Sequence, residues 1–237
     1  MTVLYLIRHG QASFGARDYD QLSALGRRQS ALLGEHLRRT QPPLDAIYAG
    51  SLRRHRDTAG LSGLLPEGDE PKRLDALDEY DYMGVIRAYL PAFMAQVGDE
   101  RGITEKDILA RPQLFEIAFR FMVRAWMNSE PHDQEAFESW RAFCGRVEDG
   151  LRSIVDDNGP RAKIGVFTSG GVISAALRQV LGLSNKRTLS INWTIYNSSV
   201  TQLYYGRSGR HEDALVLGFN SIAHLETAGD KGLMTFR

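Results

Sequence analysis

The residues best equipped for chemistry stand near the start of the chain, in Arg8-His9-Gly10-Gln11. A neutral imidazole is a good nucleophile toward phosphorus near neutral pH. A guanidinium beside it presents a planar fork to two phosphate oxygens, and Gly10 lets the backbone come close to a bound group. A basic cluster, Ser51-Leu52-Arg53-Arg54-His55-Arg56-Asp57-Thr58-Ala59, lies where a strand gives way to a helix, and a helix N-terminus adds positive potential. Thr168-Ser169-Gly170-Gly171 is a third strand-to-helix turn, whose consecutive amides can cradle an anion. Candidate acids and bases are Asp75, Asp78, Glu79 and Asp81; position, not residue type, has to choose among them. Taken singly, the three motifs read equally as a chance tripeptide, a solvated basic face and a plain tight turn.

The elements that must carry these residues follow from the apolar pattern. Val3–Ile7 is a short apolar run rich in β-formers that reads as a buried parallel strand. A helix is expected from about Ser23, its N-cap, to Arg39, with Leu25, Leu32, Leu33 and Leu37 on one face. Residues 46–49 form a second strand and 53–64 a second helix, and 163–168 form a third strand that turns through Ser169-Gly170-Gly171 into a helix. Residues 200–205 and 214–217 read as a terminal hairpin around Gly206-Arg207-Ser208-Gly209. This alternation predicts an α/β fold, a mostly parallel sheet flanked by helices on both faces. Ligands in such sheets bind outside the carboxyl ends of the strands, where all three motifs fall. From about 81 to 157 the pattern changes: Phe115, Ala118, Phe119, Met122 and Trp126, then Phe137, Trp140, Cys144, Val147, Leu151 and Ile154, recur at helical spacing. We expect a single domain over 1–237 with a helical insertion at about 81–157.

Composition narrows the function classes. Lys plus Arg number 29, as do Asp plus Glu, so no excess charge draws the chain toward nucleic acid or a membrane surface. With 43% hydrophobic and 24% charged residues the balance is that of an ordinary globular protein. Cys144 is the sole cysteine, so an internal disulfide is ruled out and a reducing compartment is expected. The opening MTVLYLIRHG has too short an apolar run for a signal peptide, and no stretch approaches membrane-crossing length. The expectation is a soluble, cytoplasmic protein.

In order along the chain, these motifs resemble the histidine phosphatase superfamily, also called the phosphoglycerate-mutase-like fold. Leu6-Ile7-Arg8-His9-Gly10-Gln11 is similar to its opening signature, and Leu22 to Gln29 to the Leu-Thr/Ser…Gly…Gln segment that follows. Ser51 to Ala59 resembles the second-arginine motif, with Arg54 as the matching arginine. Leu77-Asp78-Glu79 resembles the Leu-x-Glu that carries the acid. Val166 to Ile173 is similar to the Ser-His-Gly-Gly-Val-Ile turn, and Asn220 to Leu225 to the C-terminal Asn…His-Leu element. The resemblance implies that His9 attacks phosphorus and becomes phosphohistidine while Arg8 and Arg54 hold the equatorial oxygens. It implies Glu79 as the acid for the leaving oxygen and then as the base for water. Gly10, Gln11, Ser169 and Gly170 are expected to touch the substrate, with no metal and no cofactor.

One position departs from the pattern. Ser169 stands where the family's turn carries a second histidine, so a neutral hydroxyl replaces a charge-assisted donor. Ser169→His is therefore expected to strengthen anion binding unless the pocket is shaped around the serine. His55 stands where the arginine motif usually has Ala; because Arg54 points into the site, the next helical residue is expected to point elsewhere. The leading functional reading is a phosphatase acting on a small phosphomonoester. Two alternatives remain: a phosphoglycerate mutase, and a catalytically weak protein that binds a phosphorylated ligand. Substrate identity and oligomeric state stay open.

Overall fold

The Val3–Ile7 run forms the centre of β1 (Thr2–Arg8), where Leu4, Leu6 and Ile7 are fully buried. A strand apolar on both sides needs cover on both faces. The structure, a computed structural model, describes residues 2–13, 20–98, 102–130, 137–206 and 213–236. These build a six-stranded sheet from β1, β2 (Ala46–Ala49), β3 (Lys72–Arg73), β4 (Lys163–Thr168), β5 (Val200–Tyr205) and β6 (Leu215–Ser221), in the order β3-β2-β4-β1-β5-β6. The strands run parallel from β3 to β1, and β5 and β6 are antiparallel to their neighbours. The expected mostly parallel α/β sheet is therefore present, with an antiparallel edge.

Two helices, α1 (Ala24–Thr40) and α2 (Arg53–Ser62), pack on one face, where Leu33, Leu37 and Ala59 join Tyr5, Ile7, Ala49 and Phe167 in one cluster. Ser23 caps α1 as expected, its hydroxyl accepting from the Gly26 amide at 3.0 Å. α2 stops two residues earlier than its apolar pattern suggested, because Gly63 takes a left-handed conformation at φ 61°. On β1, Leu4 and Leu6 alternate to the opposite side from Tyr5 and Ile7 and are fully buried too. The last strand, β6, extends to Ser221 rather than Leu217. As an edge strand it leaves Leu215, Leu217 and Phe219 exposed. The tip of the expected hairpin turn, residues 207–209, lies outside the described residues.

The chain divides into two compact units, residues 1–79 with 146–237, and residues 80–145. The second holds α3 (Tyr82–Phe93), α4 (Glu105–Ala110), α5 (Pro112–Met127) and the first residues of α6 (Trp140–Asn158). Its core is aromatic: Tyr80 lies 4.7 Å from Trp126 and 5.7 Å, edge-on, from Phe143, measured between ring centroids. The helical region read from the sequence runs to Asn158, while the second unit ends at Gly145. From Arg146 onward α6 belongs to the sheet unit, where the Arg146 guanidinium donates to the carbonyls of Ala76 (3.0 Å) and Asp78 (3.1 Å). The sheet unit also contains α7 (Gly170–Leu181), α8 (Asn185–Asn192) and α9 (Ala223–Thr227).

α1 and α2 approach so closely that a Cβ on Gly34 would fall on the Ser62 carbonyl, whereas one on Gly60 would meet nothing within 4 Å. Gly34→Ala is therefore expected to cost about 2 kcal/mol or more by forcing the helices apart. Gly60→Ala, exposed within a helix, should gain about 0.5–1 kcal/mol. Urea midpoints of the two variants read the contrast; equal midpoints would contradict the packing described.

Candidate active site

The register of the two central strands brings the first and third motifs together. Arg8 on β1 pairs with Thr168 on β4, and the His9 amide donates to the Thr168 carbonyl at 2.9 Å. His9 and Ser169 therefore leave the carboxyl edge of the sheet side by side. The His9 ring is pinned: Nδ1 lies 2.7 Å from the Gly10 carbonyl oxygen. A carbonyl can only accept, so Nδ1 carries the hydrogen and Nε2 keeps its lone pair. Nε2 faces Arg54, whose Nε donates to it at 3.3 Å.

The His9 backbone is held by the residues just before β5, the strand next to β1. Its carbonyl accepts from the Ser198 amide at 3.2 Å and the Asn197 side-chain amide at 3.3 Å. Ser198 sits at φ 56°, unusual for a non-glycine residue, and its hydroxyl pairs with His224 Nε2 at 2.8 Å. Asn220, from the same C-terminal element as His224, accepts from the Tyr196 amide at 2.8 Å and donates to the Thr194 carbonyl at 2.7 Å. The Asn…His-Leu segment thus buttresses the loop that holds His9.

Electrostatics keep the His9 ring neutral. Burial pushes the His9 imidazole well below its ordinary pKa, and the Arg54 and Arg8 guanidiniums and His55 push the same way, against the Gly10 hydrogen bond. Of the two adjacent arginines, Arg54 turns inward, its side chain 8% exposed, while Arg53 is 46% exposed and pairs with Asp57 at 3.4 Å. Arg54 also makes an ion pair with Asp20 at 2.8 Å, and Asp20 accepts from the Arg53 amide at 2.7 Å, so one carboxylate fixes both the guanidinium and the start of α2. Arg8 donates to the Ile195 carbonyl, and a Cβ on Gly170 would lie 3.7 Å from Arg8 Nε.

The roles of two glycine-loop residues differ in their physical reason from the sequence expectation. The close approach that Gly10 permits is to α1, because a Cβ there would fall on the Gly26 carbonyl. The Gly10 amide donates to Thr58 Oγ1 at 3.1 Å. Gln11 likewise turns to α1: its amide donates to Gln29 Oε1 and its side-chain oxygen accepts from Ser23, each at 2.8 Å.

Tertiary contacts sort the carboxylates. Glu79 Oε2 accepts from the Gly171 amide at 3.1 Å, which puts this carboxyl at the amino end of α7 beside Ser169 and Gly170. Asp78 is occupied at the start of α2, accepting from the Ser51 amide at 2.6 Å and from the Ser51 hydroxyl. Asp75 pairs with Arg73 in solvent, and Asp81 caps α3 through the Gly84 amide at 2.9 Å.

The expectation for His55 is overturned. Its ring is fully buried, and its Nε2 lies 2.6 Å from Ser169 Oγ, with its centroid 5.6 Å from that of His9. In the first turn of a helix the side chains lean toward the N-terminus, so neighbouring residues converge over the helix end instead of fanning apart. The space a histidine at 169 would need is consequently filled. Thr58 lies within the second-arginine motif, but Asp20, Asn197 and Ser198 carry no motif that would have singled them out in the sequence; they are visible only through contacts between distant segments.

A sequence model of the histidine phosphatase superfamily (branch 1) matches residues 4–86 and 95–217. The chain belongs to this superfamily. No curated protein matches its sequence. Among solved structures it is similar to a mycobacterial glucosyl-3-phosphoglycerate phosphatase complexed with VO3, at 26% identity and TM-score 0.59, covering 92% of this chain and 98% of that one. It is also similar to a phosphoserine phosphatase from Entamoeba histolytica (17% identity, TM-score 0.62, 95% and 100% covered). A phosphoglycerate mutase from Bacillus anthracis aligns as well (17% identity, TM-score 0.60, 97% of each chain). Like these neighbours, this chain has the phosphoglycerate-mutase-like α/β fold. Among its described residues no helix is long and apolar enough to cross a membrane, and no group of three or more His, Cys, Asp or Glu could hold a metal ion.

The buried histidines set a pH dependence of stability. Burial, with His36 nearby, lowers His224 to about 4, and His9 and His55 are lowered well below 6.5. As pH falls below the ordinary histidine value, the unfolded chain binds protons that the folded chain refuses, so stability falls with it. For His224 alone the loss reaches about 3 kcal/mol by about pH 4. His224→Gln is expected to shrink the drop in thermal midpoint between about pH 7.5 and about pH 5. An unchanged drop would contradict the buried, neutral state of His224.

Proposed function

We propose that this protein is a phosphatase that hydrolyses a small phosphomonoester through a phosphohistidine on His9. The observation that carries the reading is the His9 ring itself. Its Nδ1–H is committed to the Gly10 carbonyl, and its Nε2 lone pair faces the inward guanidinium of Arg54. An incoming phosphoryl group takes the Arg54 hydrogen bond for its own oxygen and exposes Nε2 to phosphorus. Nε2 attacks, the ester P–O bond breaks, and Arg54, Arg8 and the amides at the start of α7 hold the equatorial oxygens. Glu79 gives its carboxyl proton to the leaving alkoxide, which departs as the alcohol. The Glu79 carboxylate then takes a proton from water as the water oxygen attacks phosphorus. The P–N bond breaks, Nε2 regains its lone pair and inorganic phosphate leaves. Nδ1 keeps its proton throughout.

The neighbours do not choose between hydrolysis and transfer, because the Entamoeba phosphatase and the Bacillus mutase are alike in identity and in TM-score. The phosphatase reading is supported by the 26% identity to the glucosyl-3-phosphoglycerate phosphatase over nearly the whole of both chains. It is supported too by Tyr80-Asp81-Tyr82-Met83-Gly84, which does not resemble the mutase continuation after the acid.

Two variants on two substrates test the assignment. His9→Ala should lose at least about 10³-fold of turnover on nitrophenyl phosphate and on an alkyl phosphate alike, since the nucleophile is gone. Glu79→Gln should lose far more on the alkyl phosphate, whose leaving oxygen needs the proton. His9→Ala turnover within about ten-fold of wild type would overturn the mechanism, and equal losses for Glu79→Gln on both esters would remove Glu79 as the acid.

A further inference from the structure

His55 is a fully buried imidazole that the hydrolytic steps leave unused. Its Nε2 lies 2.6 Å from the Ser169 hydroxyl, and Ser169, at the N-cap position of α7, makes no side-chain capping bond. The serine hydroxyl is thus directed to the ring, not to the helix. The other ring nitrogen, Nδ1, has no hydrogen-bond partner, and the nearest acidic oxygen, Asp78 Oδ1, is 3.8 Å away. Gly50 keeps this route open, since a Cβ there would collide with both His55 Nδ1 and Asp78 Oδ1. A buried donor or acceptor without a partner is costly, which suggests that this one gains its role in another state of the pocket.

The charged and titratable groups facing the ring are Arg54 on its own helix, His9 beyond β1, and Asp78 after β3. Burial and, next, Arg54 favour the neutral ring. With Nδ1–H toward the Asp78 carboxylate, Nε2 then accepts the serine hydrogen, and the serine lone pairs are turned to the pocket. That orientation repels an oxyanion. A dianion beside Arg54 offsets the guanidinium charge and so draws the ring toward its protonated form, against its burial.

We propose that His55 and Ser169 form a proton-coupled anion contact: as the oxyanion enters, His55 takes one proton from solvent at Nε2, and Ser169 turns its O–H to the anion. Asp78 then faces the imidazolium from the other side. His55 acts through Ser169 and is a positioning residue, and Ser169 is the residue that touches the anion. The inference rests on the phosphate-pocket reading and names the regulation of that site by protons. It also means that Ser169→His crowds His55 and weakens binding.

Calorimetric titration of the whole chain with sulfate, a dianion across the neutral range, and with inorganic phosphate separates the two readings, because neither needs turnover. Repeating it in buffers of different ionisation enthalpy gives the net proton uptake. Wild type should bind with proton uptake. His55→Gln should bind about ten-fold more weakly and with clearly less uptake, as expected for one lost charge-assisted bond. Ser169→Ala, a smaller change that folds even if the glutamine variant does not, should show a similar loss and a reduced uptake. The double variant should lose no more than the weaker-binding single one, since the two residues act as a unit. Undiminished uptake in either single variant, or additive losses, overturns the proton-coupled pair while leaving the phosphate pocket standing. Wild type that binds neither anion overturns the pocket reading and this inference with it.

Discussion

Side by side on the last rung of the two central parallel strands, Arg8 and Thr168 set where everything else in the site can be. Because the side-chain period of a strand is two, a slip of one residue in this pairing would turn Arg8 to the opposite face and part His9 from Ser169. The rung is held from several directions. The His9 amide donates to Thr168, the Thr168 hydroxyl donates to the Leu77 carbonyl at 2.6 Å, and the Arg8 amide donates to Ser199 at 3.1 Å. Leu77 is followed by Asp78 and Glu79, so the same rung that aligns His9 also delivers the Glu79 carboxyl to the amino end of α7.

A second constraint follows from charge. Arg8, Arg54 and two imidazoles converge in a space where His9 and His55 are almost fully buried, and the protein resolves the repulsion by keeping both rings neutral. A neutral imidazole keeps the lone pair that nucleophilic attack needs, so the charge balance of the site suits the role proposed for His9. Asp20 compensates one guanidinium from the rim, and an anion in the pocket would compensate the rest.

Much of this was legible in the sequence, and the reasons differ by residue. The β1 run and the turn at Ser169 were readable because a central parallel strand is apolar on both sides and stops abruptly at the site. Arg54 was separable from Arg53 by its motif position, and the structure turns Arg54 alone of the two into the pocket. Residue type could not tell Glu79 from Asp78, two carboxylates in one short loop, and only the Leu-x-Glu motif singled out Glu79. The contacts with Gly171 and Ser51 give the two carboxylates different surroundings. His55 was misread because adjacent residues on a helix normally diverge, a rule that fails in the first turn, where side chains lean past the helix end. The helical stretch ends at Asn158, close to the expected 157, but the sequence shows no sign of the unit boundary at Arg146, because apolar periodicity does not change within one continuous helix.

Phosphorylation of His9 at Nε2, as proposed, follows from the Gly10 carbonyl, which holds a hydrogen on Nδ1. Phosphorus NMR of protein quenched in base during turnover of an aryl phosphate reads both points, since phosphohistidine survives alkali and its two isomers resonate apart. The account predicts a signal from the Nε2 isomer that is absent from His9→Ala. A signal from the Nδ1 isomer, or an Nε2 signal that persists in His9→Ala, would contradict it.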